Sequence, residues 1–418
     1  MKNTSPDVLI IGGGVAGLSA AVELTSRGFS VLLIEQKQHL GGRTYSFIHP
    51  DTGDEVDNGQ HLLMGCYHST LRYLNIIGAE DFVETQKTMS VIFRLPNRSV
   101  VELKTHSLPP PLNVLWGLCS LSNLSVTNRL KLLRVGIDVM FKNPDTNKRL
   151  HSMSVSQWLE ELGQPEENRK YLWDVIAIGA LNDSLHKVSA ALFAKVIKTA
   201  FFGSRKNSSM VIPKKGLSAV LIDQAARFIE SKGGEILLNT SVEKIHQAEE
   251  SIRQVTLDSG QTVTPKAVIS AVPYFTLAKI FGDPKSIGVK FLDEFISSPI
   301  VTVHLWFDQH FVEETFCALL DSPIHWVFNK SKMYQKSEHE LMYLSLVVSG
   351  AHEFVEKDKD EIVALAVNEL RRFYSNAERA TLVHSLVIKE KRATFSPRVG
   401  IEQFRPSHTT AFRNLFLA

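Results

Sequence analysis

The chain has 418 residues, too many for one simple core and suited to two interleaved domains. Hydrophobic residues make up 44% and charged residues 22%, an ordinary balance for a soluble globular protein. Basic residues number 46 and acidic ones 44, and the net charge of +2 gives no electrostatic footprint for nucleic acid.

Cys66, Cys119 and Cys317 lie far apart, odd in number and without metal-type spacing. They read as reduced thiols of a cytoplasmic protein with no metal site. No stretch reaches the roughly 18 uninterrupted apolar residues of a membrane span. The apolar stretch Val8 to Val22 holds four glycines and no basic lead, which excludes a signal-peptide core.

Val8-Leu9-Ile10-Ile11 predicts a strand buried on both faces, and Gly12-Gly13-Gly14-Val15-Ala16-Gly17 follows it directly. A helix is expected from Leu18 to Arg27 with Gly28 as its stop, then a second strand, Val31 to Ile34, closed by Glu35. This βαβ unit carries G-x-G-x-x-G at the turn. Gly12 permits the tight turn, Gly14 lets the backbone approach a pyrophosphate, and Gly17 lets helix and strand pack closely. The diphosphate then rests on the helix N-terminus. Glu35 is placed to accept from ribose hydroxyls, and its charge repels a 2′-phosphate.

Gly41-Gly42-Arg43-Thr44 begins six residues after Glu35. Further along, a helix from Leu217 to Lys232 leads into one strand across Gly233 to Val242. A hairpin from Gln254 to Val263 turns at Asp258-Ser259-Gly260, and Ala267 to Pro273 reads as another central strand. With these pieces the chain resembles the two-dinucleotide-binding flavoproteins of the amine oxidase and carotenoid desaturase type. The resemblance implies an α/β fold: a Rossmann-like FAD-binding domain interleaved with an α+β substrate domain. It implies FAD as cofactor, held by Gly12, Gly14, Ala16, Gly17, Glu35, Gly41, Gly42, Arg43 and Val242. Residues 1–65, 208–275 and 405–418 would form the FAD-binding domain, and 66–207 with 276–404 the substrate domain.

The narrower likeness rests on Asp57-Asn58-Gly59-Gln60-His61-Leu62-Leu63-Met64-Gly65-Cys66-Tyr67. This segment resembles the hydroxysqualene dehydroxylase branch of the phytoene desaturase relatives. Ser156 to Leu159, Leu172 to Asn182, Ile300 to Phe307, Glu390 to Phe395 and Asn414 to Ala418 resemble it too, so the likeness spans the chain. It implies reduction of an allylic alcohol, hydroxysqualene, to squalene by reduced flavin. The departing hydroxyl needs a proton, for which His61 is the candidate donor, with Gln60 orienting the hydroxyl. Asp57 reads as a turn or cap residue. A carotenoid or phytoene desaturase or isomerase is the rival enzyme, and an isoprenoid-binding escort protein the non-catalytic rival.

On the substrate side, Asn128 to Phe141 predicts a helix mixing apolar residues with Arg129, Lys131, Arg134 and Lys142. It fits either a core helix or an amphipathic element docking peripherally on the inner face of the cytoplasmic membrane, where a long-chain isoprenoid is extracted. Trp173, Phe193, Phe201 and Phe202 are candidates for core or for a hydrocarbon tunnel. In the resembled family the strand matching Asn414 to Ala418 is followed by Gly-Asp and a helix capping the flavin, so the sequence is expected to continue beyond Ala418.

Overall fold

The computed structural model describes residues 4–335 and 340–418. Its parallel sheet is built on strand β1 (Val8–Ile11), helix α1 (Val15–Ser26) and strand β2 (Val31–Ile34). β1 is buried throughout because it pairs in parallel on both sides, with β2 and with Ala267–Ser270. The five-stranded sheet runs Glu235–Leu237, β2, β1, Ala267–Ser270, Leu415–Leu417. Side chains alternate across it: Val8 and Ile10 meet Leu18, Ala21 and Val22 of α1, while Leu9 and Ile11 meet Ile252, Val255 and Leu257. A parallel sheet covered on both faces is the α/β arrangement the apolar runs imply.

Local boundaries differ from the sequence pattern in instructive ways. α1 starts at Val15, three residues early, because Gly14 is already extended and caps it through the backbone alone. The later helix opens as a π-helical turn, Ala219–Asp223, and ends at Ser231. The single strand expected from Gly233 to Val242 is two strands. Asn239 adopts φ +50° and turns the chain, so Glu235–Leu237 joins the parallel sheet and Val242 opens a separate antiparallel one. Asparagine tolerates that left-handed conformation better than most residues.

The second large sheet has seven strands in the order Leu382–Phe395, Ser297–Phe307, Met342–Ser349, Trp326–Asn329, Phe316–Leu319, Ser90–Arg94, Val100–Lys104. Val301, Val303, Leu305 and Phe307 pack beneath the helix Lys359–Phe373. Trp306, two residues from His304 and on the opposite face from Leu305, packs on Val56. Val56 lies in the hairpin of β3 (Ser46–Ile48) and β4 (Glu55–Asp57), a separate two-stranded sheet that packs here on the seven-stranded one.

Helices between residues 112 and 201 form a third layer. The helix expected from Asn128 begins at Val126, because the Ser125 hydroxyl accepts from the Asn128 backbone at 3.2 Å. Its Leu132, Val135 and Val139 are buried. Phe193 and Trp173 meet edge to face at 6.3 Å inside the same core, with Phe201 and Phe202 packed against it. Trp173 and Phe193 thus belong to the hydrophobic core, and Phe201 and Phe202 lie partly buried at its edge. No helix of the described residues is long and apolar enough to cross a membrane, and the three cysteines are free.

Candidate active site

A cleft of about 800 Å³ opens where α1 begins, above the C-terminal ends of β1 and β2. Gly12, Gly14, Ala16, Glu35, Gly41, Gly42, Arg43 and Val242 line it. Gly17 does not, and its role is internal: a Cβ there would stand 1.9 Å from the Gly12 carbonyl oxygen. Gly12 has φ +110°, and a Cβ on it would press to 2.8 Å from the Ala271 oxygen. Gly14 is the opposite case. A Cβ on Gly14 would meet no protein atom within 4 Å, because it would project into the cleft.

The electrostatics of the cleft favour an anion. Among the described residues, Lys37, Arg43, Lys279, Lys391 and Arg392 line it against only Glu35 and Glu390, while the Lys389 ammonium turns away to the Val355 and Lys357 carbonyls. α1 has no side-chain cap and no acidic residue in its first turn, so its leading N–H groups face the opening. Glu35 is buried, and its carboxylate accepts from the Gly13 and Lys37 backbones at 2.7 and 2.9 Å. Each oxygen keeps a lone pair for a further donor. A diphosphate on the helix and a ribose on Glu35 therefore fit this lining, and the volume suits a large organic ligand.

Arg43 lines the cleft but also ties the two halves together: its guanidinium donates to the Arg392 and Ala393 carbonyls at 3.2 and 2.7 Å. Gly41 and Gly42 precede it at φ +101° and +62°, a pair of left-handed steps suited to glycine. Asn58 donates from its side chain to the Arg43 carbonyl at 3.1 Å, which places the next loop directly behind the cleft wall.

That loop carries Gln60 and His61, and neither lines the cleft itself. The His61 ring is exposed, yet enough protein surrounds it for burial to lower its pKa. That combination describes a recess. His61 Nδ1 lies 3.0 Å from the Gly59 carbonyl, which can only accept, so the proton sits on Nδ1 and neutral His61 offers Nε2 as an acceptor.

Asp57 is not the turn or cap residue the sequence suggests. It ends β4 with 1% of its side chain exposed and accepts four hydrogen bonds. Ser46 Oγ and the Leu217 backbone bind one oxygen at 2.7 and 2.8 Å. Lys330 Nζ and the Tyr334 hydroxyl bind the other at 2.7 and 3.0 Å. Burial pushes this carboxyl up, but the Lys330 charge and the hydrogen bonds outweigh it and hold its pKa below the usual value. Lys330 is fully buried at the start of a short helix, Lys330–Met333, and also donates to Gln60 Oε1 at 2.7 Å. Beside it, the Tyr343 hydroxyl bonds His304 Nδ1 at 2.9 Å, and burial takes His304 down to about 3. Sequence reasoning missed Lys330, Tyr334, Tyr343 and His304. A lysine following Trp326-Val327-Phe328-Asn329 carries no signal that it folds back 273 residues onto Asp57.

A parallel sheet, a glycine turn under a helix N-terminus and an acid closing the second strand together define an FAD-binding oxidoreductase. The flavin containing amine oxidoreductase model matches residues 15–418, and the chain belongs to that family. Among curated proteins it is 25% identical to 15-cis-phytoene desaturase of Arabidopsis thaliana, over 98% of this chain and 75% of that one. It is also 25% identical to hydroxysqualene dehydroxylase of Zymomonas mobilis, over 98% of this chain and 92% of that one. Among solved structures, an oxidoreductase from Methanosarcina mazei superimposes with a TM-score of 0.73 at 16% identity, covering 98% and 94% of the two chains. Cyclohexylamine oxidase from Brevibacterium oxydans gives 0.67 at 18%, covering 99% and 92%. These structural likenesses speak for the fold.

Proposed function

We propose that this flavoenzyme reduces the allylic alcohol hydroxysqualene to squalene. The observation that carries the reading is the segment Asp57 to Tyr67. The stretch with the most specific likeness to the hydroxysqualene dehydroxylase branch is the one locked behind the cleft wall by Asn58, Asp57 and Lys330. The Zymomonas mobilis relative supports it over nearly the full length of both chains.

When bound, reduced FAD supplies a hydride for the carbon that loses its hydroxyl. Gly12, Gly14, Ala16, Gly17, Glu35, Gly41, Gly42, Arg43 and Val242 are proposed to hold it. His61 is the proposed proton donor to the leaving hydroxyl and Gln60 the group that orients it, so that the C–O bond breaks to release water. Dry walls around the substrate would protect the cationic carbon from recapture by water. The five parallel strands fall within the proposed FAD-binding domain, residues 1–65, 208–275 and 405–418, and the seven-stranded sheet within 66–207 and 276–404.

Peripheral membrane docking in the cytoplasm forms part of the proposal. Val126, Leu130, Ile137 and Phe141 form an exposed stripe along one helix, with Leu112 and Trp116 exposed on the helix Leu112–Cys119 packed against it. Trp116 is 58% and Phe141 82% exposed, and Arg129, Lys131, Arg134 and Lys142 flank the stripe. Apolar residues with a basic surround suit the boundary of a bilayer holding anionic lipid.

Anaerobic incubation of the protein with hydroxysqualene and reduced flavin tests the reaction. Squalene above the flavin-only control is expected, and its absence would overturn the assignment. A second reading, desaturation of a phytoene-like polyene, gains from His61. Its lowered pKa and bare Nε2 suit accepting a proton, which desaturation requires. Oxidised enzyme with phytoene distinguishes the two.

A further inference from the structure

Lys330 lies outside the cofactor cleft, and its ammonium is wholly buried. Its partners divide unequally in importance. Asp57 already accepts from Ser46, Leu217 and Tyr334, and Lys330 completes its four acceptor positions. The second bond, to Gln60 Oε1 at 2.7 Å, does nothing for that charge. Its effect is on the amide. The remaining face of the ammonium rests 4.2 Å from the centroid of the Tyr334 ring, so its direction is fixed on all sides.

An ammonium has protons and no lone pair, so only the oxygen of the Gln60 amide can face it. The usual ambiguity between the two ends of a glutamine is therefore removed by chemistry. Nε2 must point the other way, where one proton goes to the His61 carbonyl at 3.1 Å. The second Nε2 proton has no acceptor among the described contacts of Gln60. Gln60 is half-buried, next to the exposed His61 ring.

We propose that Lys330 is a positioning residue that makes Gln60 present an N–H donor, never a carbonyl, to the substrate recess. The site thereby selects a substrate bearing a hydrogen-bond acceptor, an isoprenoid with an oxygen, over the corresponding hydrocarbon. This inference rests on the proposed role of the recess beside the flavin and names what that recess recognises. A site that donates to an oxygen leaves its donor unpaired when the oxygen is missing, which is where such selectivity arises.

The test compares binding of hydroxysqualene and squalene to the oxidised, FAD-loaded protein, read from perturbation of the flavin absorbance without turnover. The unaltered protein is expected to prefer the alcohol by about tenfold or more. Lys330→Met alone strands a buried carboxylate and threatens the fold, so it is paired with Asp57→Asn, which removes both charges together. The Asp57→Asn/Lys330→Met protein is expected to retain FAD while its preference falls to within about threefold. Gln60→Glu keeps Lys330 paired but removes the amide proton, and must lose the same preference. If either variant holds FAD and keeps the full preference, or the unaltered protein shows none, the inference is overturned. Failure of the proposed reaction reads out elsewhere, as absence of squalene from the anaerobic assay.

Discussion

The Trp306 indole nitrogen donates to the Asp54 carboxylate at 2.6 Å, joining residues 252 positions apart in the chain. Trp306 is fully buried and stacks on Tyr343 with centroids 4.5 Å apart and planes 8° from parallel. Asp54 lies in the turn between β3 and β4, so the bond clamps the hairpin that ends in Asp57 against the large sheet. Asp54→Ala leaves a buried indole N–H without this acceptor and should cost about 1–3 kcal/mol. Thermal unfolding checks it. Adding Trp306→Phe should cost less than the sum of the single changes, because the stranded donor is then gone.

Gly14 and Gly17 separate cofactor binding from folding. Gly17→Ala drives a methyl into the Gly12 backbone at 1.9 Å, so soluble protein and FAD should be lost together. Gly14→Ala meets only open space, and the melting temperature of the cofactor-free protein should stay within about 2 °C of the original. FAD affinity should nevertheless fall about tenfold or more, because the methyl occupies the cradle over the helix N-terminus. An FAD titration of Gly14→Ala with unchanged affinity removes Gly14 from the diphosphate site.

The local elements of the nucleotide half were legible because their signals are local. The apolar runs at Val8 and Val31, the glycine turn between them and the acid at Glu35 all sit within thirty residues. The break at Asn239 had a local cue that was passed over, the turn-forming run Asn239-Thr240-Ser241 in the middle of an apolar stretch. Residues 66–207 were read only as aromatics and a helix, and Trp173 and Phe193 proved to be packing. Lys330 escaped for a deeper reason. A buried charge is stable only beside its partner, and Asp57 and Gln60 come from the far end of the chain.

Acid should unfold this protein before its carboxylates titrate. Burial takes the pKa of His325 down to about 4 and that of His304 to about 3, so the folded state holds both neutral. Unfolded histidine binds a proton near pH 6.5. Below that pH the unfolded chain therefore takes up protons that the folded one refuses, and stability falls as pH falls. Each buried histidine costs about 1.4 kcal/mol per pH unit in that window. Glu55 and Asp174, raised by burial, work the other way but nearer the carboxylate range. Melting temperatures between pH 7 and 5 should drop, and His325→Asn should flatten the slope. A level profile contradicts the buried neutral histidines.

Membrane docking predicts a charge-sensitive and area-sensitive interaction. Trp116→Glu and Phe141→Glu each put a carboxylate in the exposed stripe of Leu112–Cys119 and Val126–Phe141, and neither side chain is in the core. Sedimentation with vesicles containing about a third anionic lipid should show the unaltered protein bound and the double variant about tenfold weaker. High salt should weaken the former without abolishing it, because the apolar contact remains. Equal sedimentation of both proteins assigns the stripe to something other than lipid.

The direction of chemistry at His61 follows from its tautomer. With Nδ1–H held on the Gly59 carbonyl, a neutral ring offers Nε2 only as a base, and protonation at Nε2 is needed before it can act as an acid. Because burial lowers its pKa, the protonated form is scarce at neutral pH. Reduction of the alcohol with His61 as donor should therefore accelerate as pH falls from neutrality and level off only below its own lowered pKa. Desaturation with His61 as acceptor should show the mirror image, rising with pH to a plateau already reached near neutrality. His61→Gln should remove the pH-dependent limb in either case and slow turnover by about 10²–10⁴. A limb that survives in His61→Gln places the proton transfer on another residue.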